Sequence, residues 1–460
     1  MIKFQGKTVP QLLSRGLWDR LSGAMLWRPT IALGNALFFY ALYVVFADYA
    51  SIEQDIYGFQ LGNFSWPDAI FLTLLILVGS LSVPLIIDRP STMILVIVYI
   101  FIIIPFQVMA LCTGRGEETD HYIMLATVHS AFFLCVKLNT SRPLQRISRV
   151  QDPKLIWLII VVWLASSGLL YIYFKDVMNL TSLDTIYVQR AAGKANNLFE
   201  GYLQTYNQYV FSTALVAFGC SRRNVALILM GLSGALLNFS ITAEKAGLIY
   251  PIFVVALYLL LQTKRKAVVS TSFIAIMFSI ILLVVMPLRS TSSVADLVVW
   301  YFGVRTLLAP GHYTMIYQEY FDKWGYTNFS HITGFNLFIP VPGVYAGHPK
   351  WPSLGNIIGE DYLQIADLNA NANFIASDGI AGFGILGVFM IFVLLAFLLR
   401  GLDKLTNGID TSLTLILLLP IALTLTNGSV FTVLSSFGGF FWALVFWTMF
   451  RKDKAHHQSK

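Results

Sequence analysis

The chain has 460 residues, 57% of them apolar and 12% charged, with a mean hydropathy of +0.69 and a formal net charge of +7. A water-soluble globular chain of this length does not carry such a composition, so the bilayer is its solvent. The positive excess is no argument for nucleic acid, because it lies in loops between apolar runs and forms no folded basic face.

A spanning helix needs about 20 mostly apolar residues, since a hydrocarbon layer of ~30 Å is crossed at ~1.5 Å per residue with every backbone polar group satisfied internally. Taken in chain order, twelve runs meet that pattern: 30–47, 69–87, 92–112, 122–137, 155–174, 204–220, 225–241, 246–262, 267–288, 373–399, 411–426 and 430–450. The alternation of a membrane barrel is absent. The expected architecture is therefore all-α: a polytopic integral membrane protein of about 12 transmembrane helices, read as a single membrane domain over 1–460.

Basic loops are retained in the cytoplasm. The segment 1–29 carries Lys3, Lys7, Arg15, Arg20 and Arg28, and every even-numbered loop is basic, including Arg142, Arg146 and Arg149, then Arg222 and Arg223, then Lys264, Arg265 and Lys266. With the tail 451–460, this predicts both termini inside and a multi-pass protein of a bacterial inner membrane. Leu12, Leu13, Leu17, Leu21 and Met25 opposite Arg15, Asp19 and Arg20 read either as a short helix on the inner leaflet or as an unstructured tail. Cys112, Cys135 and Cys220 lie in or at apolar runs with no metal-like spacing.

Two outside connections are enlarged, a first periplasmic loop at 175–203 and a large one at 289–372, and long loops in compact proteins commonly carry function. The first contains TIYVQRAAGKANNLFEG, in which Arg190 offers a planar fork of donors suited to phosphate oxygens. The alternative is an interfacial Arg that snorkels. Arg289, at the end of the ninth run, carries the same two readings. Between the seventh and eighth runs, ITAEKAG places Glu244 beside Lys245, as a salt-bridged hairpin or as a source of Lys245 for an anionic pocket.

The large loop opens with LVVWYFGVRTLLAPGHYTMIYQEY, where Arg305, His312 and Glu319 recur every seven residues. On a continuous helix they would share one face, and Pro310 with Gly311 is expected to break it. Further on, HITGFNLFIPVPGVYAGHPKW and NANANFIASDGIAGFGILG are rich in aromatic and amide groups of the kind that stack on sugars and hydrogen-bond their hydroxyls. Tyr187, Tyr313, Trp351 and Asn373 are the glycan-binding candidates. Asp378 reads first as a helix cap. His312, His331 and His348 are too widely spaced for a metal cluster, and no HExxH, P-loop or GxSxG element is present.

These pieces resemble the Wzy-type oligosaccharide repeat-unit polymerases, a family related in broad plan to O-antigen ligases. The resemblance rests on about twelve spans, two enlarged loops, the Arg190-x10-Gly201 spacing, IDRPS after the second run, TAEKAG, and DGIAGFGILG entering the tenth. A second Arg-x10-Gly is missing, since the position equivalent to Gly201 after Arg305 is Ile316. The His that ligases tend to carry before an Asn is also missing near Asn371 and Asn373. The resemblance implies a GT-C-like membrane glycosyltransferase of lipopolysaccharide or similar polysaccharide biosynthesis, working on undecaprenyl-pyrophosphate-linked oligosaccharides, with a Wzz-type chain-length regulator as partner. It also implies which residues act: Arg190, Arg305, Arg289 and Lys245 on the pyrophosphate, and His312, with Glu319 second, as the base. No metal and no other cofactor is expected. The rivals are an O-antigen ligase and, from another class, a lipid-linked oligosaccharide flippase. A flippase usually shows two similar halves and charges lining a cavity, and this chain shows neither.

Overall fold

The computed structural model describes residues 9–52, 58–114, 118–140, 149–180, 186–262, 271–365 and 368–452. The regular secondary structure of the described residues is helical except for an antiparallel pair of three-residue strands, Arg149–Gln151 with Phe450–Lys452, and an isolated bridge between Leu61 and Thr113. Among the described residues, seven helices are long and apolar enough to cross a membrane: Arg28–Ala50, Pro90–Cys112, Asp120–Thr140, Lys154–Phe174, Val225–Thr242, Lys245–Gln262 and Ile375–Thr406. Each coincides with one of the expected runs, and the build is that of an all-helical polytopic membrane protein. Trp66–Ser82, Phe273–Leu288, Thr411–Asn427 and Gly439–Thr448 are shorter apolar helices.

Three expectations change. The stretch 12–25, read as either a short helix on the inner leaflet or an unstructured tail, is continuous with the first span, in one helix Val9–Ile52. The run 430–450 is not one helix: it forms Val430–Ser435 and Gly439–Thr448, with Gly438 in the left-handed region between them at φ 86°. Pro310 does not break the chain, because Ser293–Val298, Val299–Leu308 and Ala309–Trp324 follow as successive helical segments. The middle one has the wide π geometry, and Thr306 Oγ1 donates to the Tyr301 carbonyl five residues back at 2.6 Å. A proline lacks an N–H and its ring collides with the carbonyl four residues earlier, and a wide turn just before it relieves both faults.

By contacts the chain forms two compact units, each assembled from separate stretches: Met1–Ile87, Tyr99–Val136 and Ala267–His312, and then Asp88–Val98, Lys137–Lys266 and Tyr313–Lys460. In the first, Val9–Ile52 packs along Thr271–Val285, with Phe38 against Phe278 at 6.1 Å. Arg28 donates to the Ser80 and Val83 carbonyls at the end of Trp66–Ser82, supplying donors that a helix C-terminus lacks.

In the second unit a buried polar network joins three apolar helices. Asn207 donates to Ser166 Oγ at 2.6 Å and Ser167 Oγ at 2.9 Å, and accepts from Asn238 at 2.7 Å. Trp163 Nε1 reaches Ser212 Oγ at 3.2 Å. Such interhelical bonds contribute about 0.6 kcal/mol each on average in a membrane bundle. Their effect here is to fix the rotation of Lys154–Phe174, Val225–Thr242 and the helical stretch through Asn207–Ser212 about their own axes.

Candidate functional site

The last turn of an α-helix leaves carbonyls without intrahelical donors. At the end of Val225–Thr242 those carbonyls hold down the stretch that carries Arg190. Asn179 N donates to Ser240 O at 2.9 Å. Gln189 Nε2 sits within reach of Val177 O, Ser240 O and Ile241 O at 2.7, 2.9 and 3.1 Å. Gly193 lies so close to the same turn that a Cβ there would stand 1.8 Å from the Ile241 carbonyl oxygen. Gln204 Nε2 closes the loop from the other side, donating to Gly193 O at 3.0 Å. Leu170, Phe174 and Ile241 form a buried apolar plug against which Val177 and Leu203 pack.

This clamp sets the next residue of the short helix Ile186–Ala192 over the following turn, where Arg190 Nη2 faces the Ala243 carbonyl at 3.4 Å. A cation near a helix C-terminus is favoured by the dipole. Ala243 is left-handed, φ 51°, a conformation that costs a non-glycine residue about 1–3 kcal/mol and that reverses the chain into Lys245–Gln262. Glu244 stands just before that helix, and its Oε2 accepts from Tyr209 Oη at 3.0 Å and from Gln208 Nε2 at 3.3 Å. Both Glu244 and Arg190 act electrostatically on the Tyr209 hydroxyl. The Tyr209 ring is packed edge-on against Tyr250 at 5.3 Å and Phe437 at 5.0 Å.

The two motifs TIYVQRAAGK and TAEKAG, some fifty residues apart, therefore meet on one turn. Arg190 meets there the backbone that runs into Glu244 and Lys245, and Gln208 and Tyr209, which the sequence did not single out, reach Glu244. Gly201, the glycine of the Arg190-x10-Gly201 spacing, has no comparable demand on it: a Cβ there meets only Ala195 Cβ, at 3.8 Å. The glycine that the fold requires beside Arg190 is Gly193.

The other candidates are placed as follows. Arg289 is held by Asp48 and, through Nε at 3.0 Å, by Asp296, and its guanidinium lies 3.8 Å over the Tyr49 ring. That charge is already answered by two carboxylates. Arg305 is exposed and makes no hydrogen bond or ion pair among the described residues. His312 is fully buried, with its ring edge-on to Phe59 at 4.8 Å. Glu319 is half-buried and accepts from Tyr362 Oη. Spaced by seven, the three residues do not share surroundings: one is exposed, one enclosed and one between. Asn373 is fully buried as a local cap, donating to Thr314 Oγ1 at 2.8 Å and accepting from Ile375 N at 3.0 Å. Tyr313 is buried, and Trp351 stacks on Tyr345 with centroids 5.3 Å apart. The Tyr187 side chain lies outside the described residues.

A second polar group in the same unit gathers His331 and Asp378. Thr327 Oγ1 is 2.7 Å from His331 Nδ1, while Nε2 is buried with no hydrogen-bond partner. The Ser377 backbone lies close enough to favour the protonated ring slightly, yet burial dominates and pushes the imidazole down to about 4. It is therefore neutral across the physiological range. Asp378 is fully buried: Oδ2 accepts from Val430 N at 2.6 Å, the Ser429 hydroxyl adds a bond, and Oδ1 has no partner. Asp378 thus caps Val430–Ser435, not the helix it belongs to. The stretch 429–438 connects this group with the Arg190 turn, since Tyr206 Oη donates to Ser435 O at 2.7 Å and Phe437 packs on Tyr209.

His348 differs from His331. Its Nε2 is 2.7 Å from Asp361 Oδ2 and its Nδ1 accepts from Lys350 N at 3.2 Å, so both ring nitrogens are engaged and neither is open to a substrate proton. Among the described residues no group of three or more His, Cys, Asp or Glu is placed to hold a metal ion. No family model, curated protein or solved structure matches this chain.

Proposed function

We propose that the chain is a membrane glycosyltransferase that polymerises undecaprenyl-pyrophosphate-linked oligosaccharide repeat units, an O-antigen polymerase of twelve spans in a bacterial inner membrane, with both termini inside and the Arg190 turn on the periplasmic face. The observation that carries this reading is the convergence of Arg190 and the Glu244–Lys245 pair on one clamped turn. Two cations on neighbouring backbone suit a diphosphate leaving group, whose developing charge needs donors fixed before the reaction begins. One correctly placed donor of this kind contributes a few kcal/mol at the transition state.

The bond made joins an acceptor hydroxyl oxygen to the anomeric carbon of the donor repeat unit. The bond broken joins that carbon to a pyrophosphate oxygen, and undecaprenyl pyrophosphate leaves with the electron pair. The acceptor proton needs a base. His312 is enclosed on all sides, whereas His331 is partly open at its rim and neutral, with a buried Nε2 that no hydrogen bond occupies. His331 is accordingly our choice of proton acceptor, and an arriving pyrophosphate would raise its affinity for the proton.

The test is extension of a purified lipid-linked repeat unit by the full-length protein in nanodiscs. Arg190→Ala and Lys245→Ala should each lower the extension rate at least tenfold, and Arg190→Lys should rescue it only in part, because a lysine lacks the planar fork. Wild-type extension by folded Arg190→Ala would refute the reading. Transfer of a single unit to a lipid A core acceptor, without extension, would replace it with that of a ligase.

A further inference from the structure

The large loop carries a tight apolar turn, FNLFIP, that has no covering segment among the described residues. Leu337 is 79% exposed and Phe338 87%, and Val344 stands exposed on the same loop. The turn is not slack: Phe335 N and Asn336 N both donate to Ile332 O, Phe338 N and Ile339 N to Phe335 O, and Gly334 N to Asn336 Oδ1. Five backbone donors are thus spent on holding two large apolar side chains outward. In water such a display is costly, and on a membrane protein it has an obvious partner.

The position of the turn follows from what it packs on. Thr327 N and Asn328 N donate to Ala381 O and Gly382 O, and Phe329 lies against Phe383 at 5.2 Å and Phe335 at 6.3 Å. These contacts sit at the kink of the helix Ile375–Thr406, where Phe383 and Gly384 leave helical geometry. From Gly384 to Leu399, the last residue before Arg400, the helix rises about 22 Å at ~1.5 Å per residue, most of a ~30 Å hydrocarbon layer. The kink, and the aromatic residues of the loop bound to it, therefore lie toward one edge of that layer. Below the kink Leu386, Met390 and Phe397 are exposed on the helix, as lipid-facing residues are. Phe335, Phe329 and Phe383 make the exposed face of the turn continuous with that lipid-facing surface.

We infer that Leu337 and Phe338 insert into the adjacent lipid leaflet, so that the turn 332–339 is an interfacial anchor for the large loop. The two side chains enter the boundary between headgroups and acyl chains, where apolar and aromatic residues of interfacial segments reside. The anchor holds down the loop that also carries His331, whichever reaction the protein performs.

The experiment uses full-length Phe338→Cys and Asp361→Cys proteins labelled with an environment-sensitive nitrobenzoxadiazole probe in phosphatidylcholine nanodiscs. The unsubstituted protein serves as blank, because Cys112, Cys135 and Cys220 are buried. The probe at 338 should emit to the blue of the probe at 361. It should lose most of its intensity when doxyl-labelled lipid replaces ordinary lipid, while the probe at 361 should keep its intensity. A water-like, unquenched probe at 338 in a monodisperse monomer overturns the inference. An unquenched probe, together with a disulfide between two copies of the unlabelled Phe338→Cys protein under a mild oxidant, overturns it in favour of a self-association surface.

Discussion

Two glycines near Arg190 make opposite demands, and exchanging each for alanine separates a sequence spacing from a packing requirement. At Gly193 a methyl would stand 1.8 Å from the Ile241 carbonyl oxygen and 2.7 Å from its carbon, an obstacle of backbone that cannot rotate aside. Overpacking of this kind costs about 1–3 kcal/mol, and a rigid neighbour places it at the upper end. Relief by displacement would pull Gln189 from the carbonyls of Ser240 and Ile241, losing bonds that contribute about 1 kcal/mol each. Gly193→Ala should thus lower the thermal midpoint of the purified protein and shift Arg190 off the turn, with at least a tenfold fall in polymer formation. At Gly201 the added methyl finds Ala195 Cβ at 3.8 Å, ordinary contact, inside the helix Leu198–Tyr206. Gly201→Ala should be neutral or stabilising by about 0.5–1 kcal/mol through helix propensity alone. Fluorescence-detected melting in detergent and the length distribution of glycan in a complemented deletion strain read both effects. The reverse order, with Gly201→Ala damaging and Gly193→Ala silent, would refute the packing argument.

Tyr209→Phe removes one donor from Glu244 without altering the ring stack; the melting midpoint should fall by an amount equivalent to about 1 kcal/mol, and on the proposed function extension should slow as well. Arg289→Ala should act on stability instead, lowering the midpoint by an amount equivalent to about 1 kcal/mol, because Asp48 and Asp296 then face each other without their shared cation, while extension per folded molecule stays at the wild-type rate. For His331 the folded imidazole titrates near 4 and the unfolded one near its ordinary value of 6.5, so the unfolded chain binds the extra proton between those limits. Its contribution is fully present above pH 6.5 and is lost as pH falls to about 4, amounting to about 3 kcal/mol. Melting midpoints measured across that window should fall more steeply for the wild type than for His331→Asn; parallel curves would contradict the assignment.

Hydropathy was sufficient to locate seven spans among the described residues, because burial in lipid is a property of consecutive residues and can be summed along the chain. Convergence is not. Gln208 and Tyr209 looked like part of an apolar run, and their bonds to Glu244 depend on a wide-turn segment, Asn207–Ser212, that no periodicity announces. His331 was visible only as one of several scattered histidines, since what distinguishes it is a buried nitrogen lacking a partner. Arg289 matched the other outer cations in spacing and type, and its two carboxylate partners come from residues 48 and 296, one of them far away in the chain. The heptad spacing of Arg305, His312 and Glu319 presumed ordinary helical turns, which the π segment Val299–Leu308 does not supply. The Pro310–Gly311 break was a sound local inference that a wider turn overrode.

The Arg190 turn is built from parts that would be liabilities elsewhere: a left-handed alanine, a glycine against a carbonyl, and a carboxylate set beside cations. Each makes sense if the turn must hold positive charge in place while empty. The Ala243 carbonyl, just past the end of Val225–Thr242, is a negative partner that orients Arg190. Tyr209 and Gln208 in turn hold one oxygen of Glu244 with two donors. On the proposed function, a diphosphate would meet donors already fixed, so little of its binding energy would be spent on reorganising the protein, as transition-state stabilisation by preorganised charge requires.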